Sequence, residues 1–132
     1  MGVTYEGGCQ CGAVRYLAEG EPLNERICHC RLCQQAIGAA FSARVAFRMD
    51  QVTVTGEPAG HHSSPEVERV FCPRCGTTLF SKRAGVGVIG VTTGSLHNPG
   101  QFKPTMHIWT SSMQPWLKLD DGLPQYPEHP PA

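Results

Sequence analysis

No surplus of either charge marks this chain: 11 acidic residues balance 11 basic ones, for a formal net charge of zero. Nucleic-acid binders carry a basic surplus on the scale of the domain, so the balance argues against a partner held mainly by its phosphates. No run approaches the roughly 18 apolar residues that span a bilayer. The basic-then-apolar pattern of a secretory signal is missing, and Glu6 stands where a myristoylation motif needs Ser or Thr. These absences predict a soluble, cytoplasmic protein with no nucleic-acid or membrane partner. At 132 residues the chain falls within the size of a single domain, here 1–132, and is long enough to build a core.

An even cysteine count is missing too. The seven present cannot pair off within one chain, and in a reducing compartment clustered thiols are more often metal ligands than disulfides. They fall into three groups: Cys9 and Cys11, then Cys28, Cys30 and Cys33, then Cys72 and Cys75. Arg26, Arg31, Arg69, Arg74, Lys82 and Arg83 lie near them along the chain and read as solvated surface charge.

Helical periodicity is scarce. The one plausible helix is "RLCQQAI" after Cys30, too short to stand without packing. Runs at 13–18, 39–47, 51–56, 67–72, 78–83, 86–96 and 106–112 fit strands. Several alternate with the period of two that gives a strand one buried face, as Val52 and Val54 do. Fifteen glycines and eleven prolines supply turns, and the proline-rich end, 123–132, reads as an extended tail. The expectation is a mainly β, single domain stapled by metal.

Spacing divides the thiols. Cys11 precedes Gly12 and Cys75 precedes Gly76; glycine tolerates the tight backbone that turns amide groups toward thiolate sulfurs, as in a zinc knuckle. Two such half-sites give Cys9, Cys11, Cys72 and Cys75, the four thiolates of a closed structural zinc site. Buried, unliganded cysteines are the plain alternative. Cys28, Cys30 and Cys33 remain. Three protein ligands and a vacancy are how catalytic zinc is held, the vacancy accepting water or substrate. His29, between two proposed ligands on an extended segment, should point away from them and support the site from behind. His107 reads as a satisfied strand histidine.

Three thiolates weaken zinc as a Lewis acid toward water and favour a further sulfur ligand. Coordination would deprotonate an incoming thiol and make it nucleophilic near neutral pH. The residues thus suggest either a zinc enzyme that activates a thiol or a zinc site with a labile ligand.

"GGCQCGAVRY", "CHCRLCQQAIGAAFSARVAF", "VFCPRCGTTLF", "TGSL" and "PWLKLDDGLPQY" together resemble the glutathione-dependent formaldehyde-activating enzyme family, which includes the domain of centromere protein V. The likeness runs in order over nearly the whole chain, and its CxC, CxCxxC, CxxC pattern is specific. It implies an Mss4-like (β-tent) fold and two zinc sites: Cys9, Cys11, Cys72 and Cys75 as the structural one, and Cys28, Cys30 and Cys33 as the catalytic one. The implied activity is carbon–sulfur bond formation between glutathione and formaldehyde, an S-(hydroxymethyl)glutathione synthase type of lyase. The expected partner is accordingly a small thiol or thiol adduct, such as glutathione. Two other readings compete: a non-catalytic zinc module that binds a protein or other ligand, and redox chemistry at Cys30 and Cys33. The second lacks the βαβ pattern around its CxxC.

Overall fold

The computed structural model describes residues 2–131. Ten strands carry the fold: β1 (Thr4–Gly8), β2 (Arg15–Glu19), β3 (Asn24–Cys28), β4 (Ser42–Arg48), β5 (Val52–Thr55), β6 (Ala59–Ser64), β7 (Val67–Phe71), β8 (Thr78–Arg83), β9 (Val88–Thr92) and β10 (Met106–Ile108). Among the described residues one α-helix, α1 (Arg31–Ile37), interrupts them. No helix among the described residues is long and apolar enough to cross a membrane.

The strands form two sheets, β1-β2-β5 and β10-β3-β4-β9-β8-β7-β6. Every pairing is antiparallel except that of β10 with β3. Alternation places Tyr5 and Tyr16 of the small sheet inward, against Phe47 and Phe80 of the large one. The rings meet edge to face, Tyr5 on Phe47 at 5.1 Å and Tyr16 on Phe80 at 6.4 Å between centroids. The Tyr16 hydroxyl would be an orphan at this depth; it bonds the Ser95 hydroxyl at 2.6 Å. One apolar cluster therefore spans both sheets, and Cys9 and Cys72 belong to it.

The helix falls on the residues expected; the expected runs contain β5, β7, β8, β9 and β10, while β2 and β4 each extend one residue beyond theirs, to Glu19 and Arg48. Three strands lacked a legible pattern. β6 is a polar edge strand, "AGHHSS"; β3 is half-buried at every position; β1 pairs through glycines at its end. Of the proline-rich tail, residues 123–131 are described; they bend at 127–129 and are pinned along β10. Tyr126 donates to the His107 carbonyl at 2.9 Å, His107 donates to the Pro124 carbonyl at 2.9 Å, and Trp109 donates to the Glu128 carbonyl at 3.1 Å. Proline lacks an N–H but keeps its carbonyl, so such a segment can accept along a strand's open side.

Candidate metal centres and the cavity beside them

The two halves of the outer cluster are built alike. After Cys9 the chain turns back through Gly12, whose N–H donates to the Cys9 carbonyl at 3.1 Å; after Cys72 it turns through Gly76, whose N–H donates to the Cys72 carbonyl at 2.8 Å. Both glycines sit at φ +82°, a left-handed conformation that side chains resist. The turns aim polar groups at sulfur: Val14 N–H lies 3.3 Å from Cys9 Sγ, and the Thr77 hydroxyl 3.2 Å from Cys75 Sγ. The Thr77 hydroxyl and amide together hold the Cys75 thiol below its ordinary value.

Cys9, Cys11, Cys72 and Cys75 bring their sulfurs within 4.8 Å of one another. Cys9 and Cys11 are 3.6 Å apart, and Cys11 and Cys72 3.8 Å. A tetrahedron of sulfurs about 2.3 Å from a central zinc has edges of about 3.8 Å. The donor set and its spacing fit such an ion.

The second cluster sits where β3 runs into α1. Cys28 closes the strand, Cys30 is the N-cap and Cys33 lies in the first turn; their sulfurs also lie within 4.8 Å of one another. Cys33 N–H donates to Cys30 Sγ at 3.3 Å, so the cap binds a helix donor and presents its sulfur at once. A helix this short depends on its packing. Buried Gln34 supplies much of it, donating to the His29 and Ser112 carbonyls at 2.6 and 3.0 Å and accepting from Arg31 and Gln114 at 2.6 and 3.1 Å. All four positions of its amide are used. Nothing in the sequence signals this clamp.

Two cations face Cys33. The Arg69 guanidinium lies 3.8 and 3.9 Å from its sulfur, and Arg44 acts on it electrostatically. The neighbouring thiols of Cys28 and Cys30, and then these arginines, lower the pKa of Cys33; Cys28, beside the same thiols, is pushed up. The two arginines favour the charged form of Cys33. Arg69 is buried and Arg26 half-buried, which corrects their reading as solvated surface charge. Arg44 was missed altogether, because only strand pairing shows where it lies.

His29 is fully buried and is absent from the converging donors. Its Nε2 lies 2.9 Å from His107 Nδ1, and His107 Nε2 lies 2.7 Å from Asp121 Oδ2. A carboxylate only accepts, so His107 donates from Nε2 and accepts at Nδ1 from His29 Nε2–H. Burial, then the nearby His107, lowers the His29 pKa and keeps it neutral. His107 is satisfied on both ring nitrogens, as expected. Its hydrogen bond is also the chief reason the Asp121 carboxyl sits below its ordinary value. A depressed carboxyl contributes stability above its unfolded pKa and loses it as pH falls through the folded one. Asp121→Asn should therefore lower the melting temperature at neutral pH and flatten its fall below about pH 4; melting followed from pH 7 to pH 3 checks this.

A cavity of about 230 Å³ opens beside the second cluster, lined in part by Cys28, Cys33, Arg26, Arg44, Arg83 and His129. A larger one, about 520 Å³, lies between α1 and β6–β7 and exposes no thiol. The smaller cavity is where a ligand would meet sulfur.

The chain matches the family model described as glutathione-dependent formaldehyde-activating enzyme over residues 4–112. It is 34% identical over 76 residues to an uncharacterized lyase of Schizosaccharomyces pombe, covering 58% of this chain and 56% of the relative. It is 30% identical over 84 residues to a protein of Halomonas elongata named as a putative glutathione-dependent formaldehyde-activating enzyme, covering 57% of this chain and 54% of that one. The matches thus span a little over half of those relatives. The fold resembles the crystal structure of a Rhodobacter sphaeroides protein with a TM-score of 0.59 at 21% identity, over 92% of this chain and 98% of the other. With the family's model matched over most of its length and both cysteine clusters assembled, the chain belongs to the glutathione-dependent formaldehyde-activating enzyme family.

Proposed function

We propose that this protein is a zinc-dependent carbon–sulfur lyase of the S-(hydroxymethyl)glutathione synthase type, acting on a small thiol and an aldehyde or on their adduct. One observation carries the reading: three thiols converge, rather than four, and two of them, Cys28 and Cys33, border a cavity also lined by Arg26, Arg44 and Arg83. The outer four cysteines are assigned to a structural zinc within a single Mss4-like domain. Cys28, Cys30 and Cys33 are assigned to the reactive one. Zinc at the second site would supply an electrophilic centre that prefers thiolate to water and lowers a bound thiol's pKa.

The protein's own groups then have distinct tasks. Arg69 and Arg44 offset the charge gathered on Cys33. Gln34 and the His29–His107–Asp121 chain fix the backbone on which Cys28 and Cys30 ride. In the reaction the thiol sulfur forms a bond to the carbonyl carbon. The carbonyl π pair moves to oxygen, which takes up the proton the thiol gave up. The reverse is the cleavage, so no oxidant or reductant is needed.

Cobalt substitution tests the site. Added 2-mercaptoethanol should change the visible absorption of the cobalt protein, with apparent affinity rising with pH until the free thiol ionises, near ~8.5 for a cysteine-like thiol. If no simple thiol perturbs the spectrum between pH 6 and pH 9, the lyase reading fails and a non-catalytic zinc module replaces it.

A further inference from the structure

Bond formation between a thiol and a carbonyl moves a proton: sulfur gives one up and oxygen takes one, so a group beside both can speed the step by carrying it. The cavity at the inner thiols holds few candidates. Arginine stays protonated in proteins, which sets aside Arg26, Arg44 and Arg83. Cys28 and Cys33 are assigned to the metal. No aspartate, glutamate, lysine or tyrosine is among the described residues that line this cavity, and its one histidine is His129. Imidazole takes up and releases a proton between about pH 5 and pH 8. His29 and His107 are buried in the chain that ends on Asp121, and neither lines the cavity.

His129 is exposed, so it can exchange protons with water, and the backbone leading to it is held. Trp109 N–H donates to the Glu128 carbonyl at 3.1 Å, Thr110 N–H to the Tyr126 carbonyl at 3.1 Å, and the Ser111 hydroxyl to the Pro127 carbonyl at 2.6 Å. The three residues before His129 are thereby tied to the segment that follows β10. Its ring meets the Trp109 ring edge to face, 5.4 Å between centroids. Trp109 is itself strained: at φ 57° it is the one described residue other than glycine in the left-handed region, an outlier for a bulky side chain. Such strain persists where surrounding contacts over-determine it, and it gathers at functional sites. Across the same cavity, Arg26 and Arg44 face each other on β3 and β4, with Arg83 on β8. They present the positive charge that an oxyanion forming on the carbonyl would meet.

We propose that His129 is a catalytic residue of the thiol–aldehyde reaction, the acid–base group that carries the proton from the thiol to the carbonyl oxygen. This rests on the lyase reading and adds the group that completes its proton balance. An imidazole nitrogen accepts the S–H proton as sulfur bonds to the carbonyl carbon. The π pair moves onto oxygen, and the imidazolium returns a proton there. One proton is taken and one given back, and cleavage runs the same steps in reverse. His129 lies beyond the residues matched to the family model, 4–112, so the match does not supply this role.

The test follows exchange between free glutathione and its formaldehyde adduct at equilibrium, by two-dimensional exchange NMR with the zinc-loaded protein. His129→Ala should slow the protein-catalysed exchange by roughly 100-fold or more, and added imidazole should restore about tenfold of it in that variant alone. A merely structural histidine would not be replaced by free imidazole. His129→Gln keeps a hydrogen-bonding side chain but carries no proton, and should be as slow as the alanine variant. The cobalt-loaded variants should still respond to 2-mercaptoethanol with an affinity close to the parent's, because the role lies in the transfer rather than in holding the thiol. If His129→Ala or His129→Gln keeps pace with the parent, or if the loss resists imidazole, the assignment is overturned while the thiol site stands. If the parent itself accelerates no exchange, the lyase reading fails and this assignment with it.

Discussion

Cys75→Ser should yield an unfolded or insoluble chain. Serine keeps the size and removes the soft thiolate, so a four-sulfur centre loses a ligand it has no means to replace. Structural zinc in small domains contributes on the order of 10 kcal/mol, whereas a whole domain is stable by only about 5–15 kcal/mol. The loss is therefore expected to consume most of the folding free energy. Geometry sharpens the point: Cys9 and Cys72 are buried members of the cluster that joins the two sheets, so unliganded thiols there would sit against one another in the interior. Circular dichroism and elemental analysis of the purified variant are sufficient. A soluble Cys75→Ser protein that melts cooperatively near the parent temperature would overturn the structural role assigned to the outer cluster.

Cys33→Ser should behave differently, with the fold retained and the second metal, the cobalt response to thiols and any lyase activity lost. Its cluster lies within one strand–helix junction and closes no long segment of chain. The backbone there is held independently by Gln34 and by the buried histidine pair. Weakening the contact with Arg69 should cost about 1–3 kcal/mol, the scale of a compromised buried polar group. The expected protein thus melts a few degrees lower and carries one metal fewer per chain. Cys30→Ser provides the second reading, because it removes the N-cap sulfur as well as a ligand. If both variants precipitate as Cys75→Ser does, the inner cluster is structural and the lyase proposal is wrong.

The two cysteine clusters were legible because thiol chemistry is tied to local spacing. CxC and CxxC each followed by glycine describe a turn within a few residues, and that turn is what Gly12 and Gly76 form. The helix at 31–37 was equally local, set by an N-cap at Cys30 and stopped by left-handed Gly38. What escaped detection depends on pairing across the chain. Arg44 gains meaning only opposite Arg26; Gln34 only where residues 112 and 114 fold back onto it; Asp121 only once β10 lies along β3. The polar strands β3 and β6 failed for the same reason: their neighbours in the sheet, rather than their own alternation, make them strands.

The turns of the outer cluster and the joining of its two halves make different demands on the way to the native state. Each turn is local and costs little chain entropy to form. Joining Cys11 to Cys72, which are separated by 61 positions, requires closure of a long loop and the meeting of both sheets. That closure is expected late, because the penalty for a large loop must be met before its contacts return anything. An interaction formed after the rate-limiting step scarcely changes how fast a chain folds; it lengthens the time before the chain unfolds. Holding the structural zinc proposed above, the four sulfurs would work as a latch on the lifetime of the finished structure, and the inner site, enclosed between residues 11 and 72, would persist as long as that latch stays shut.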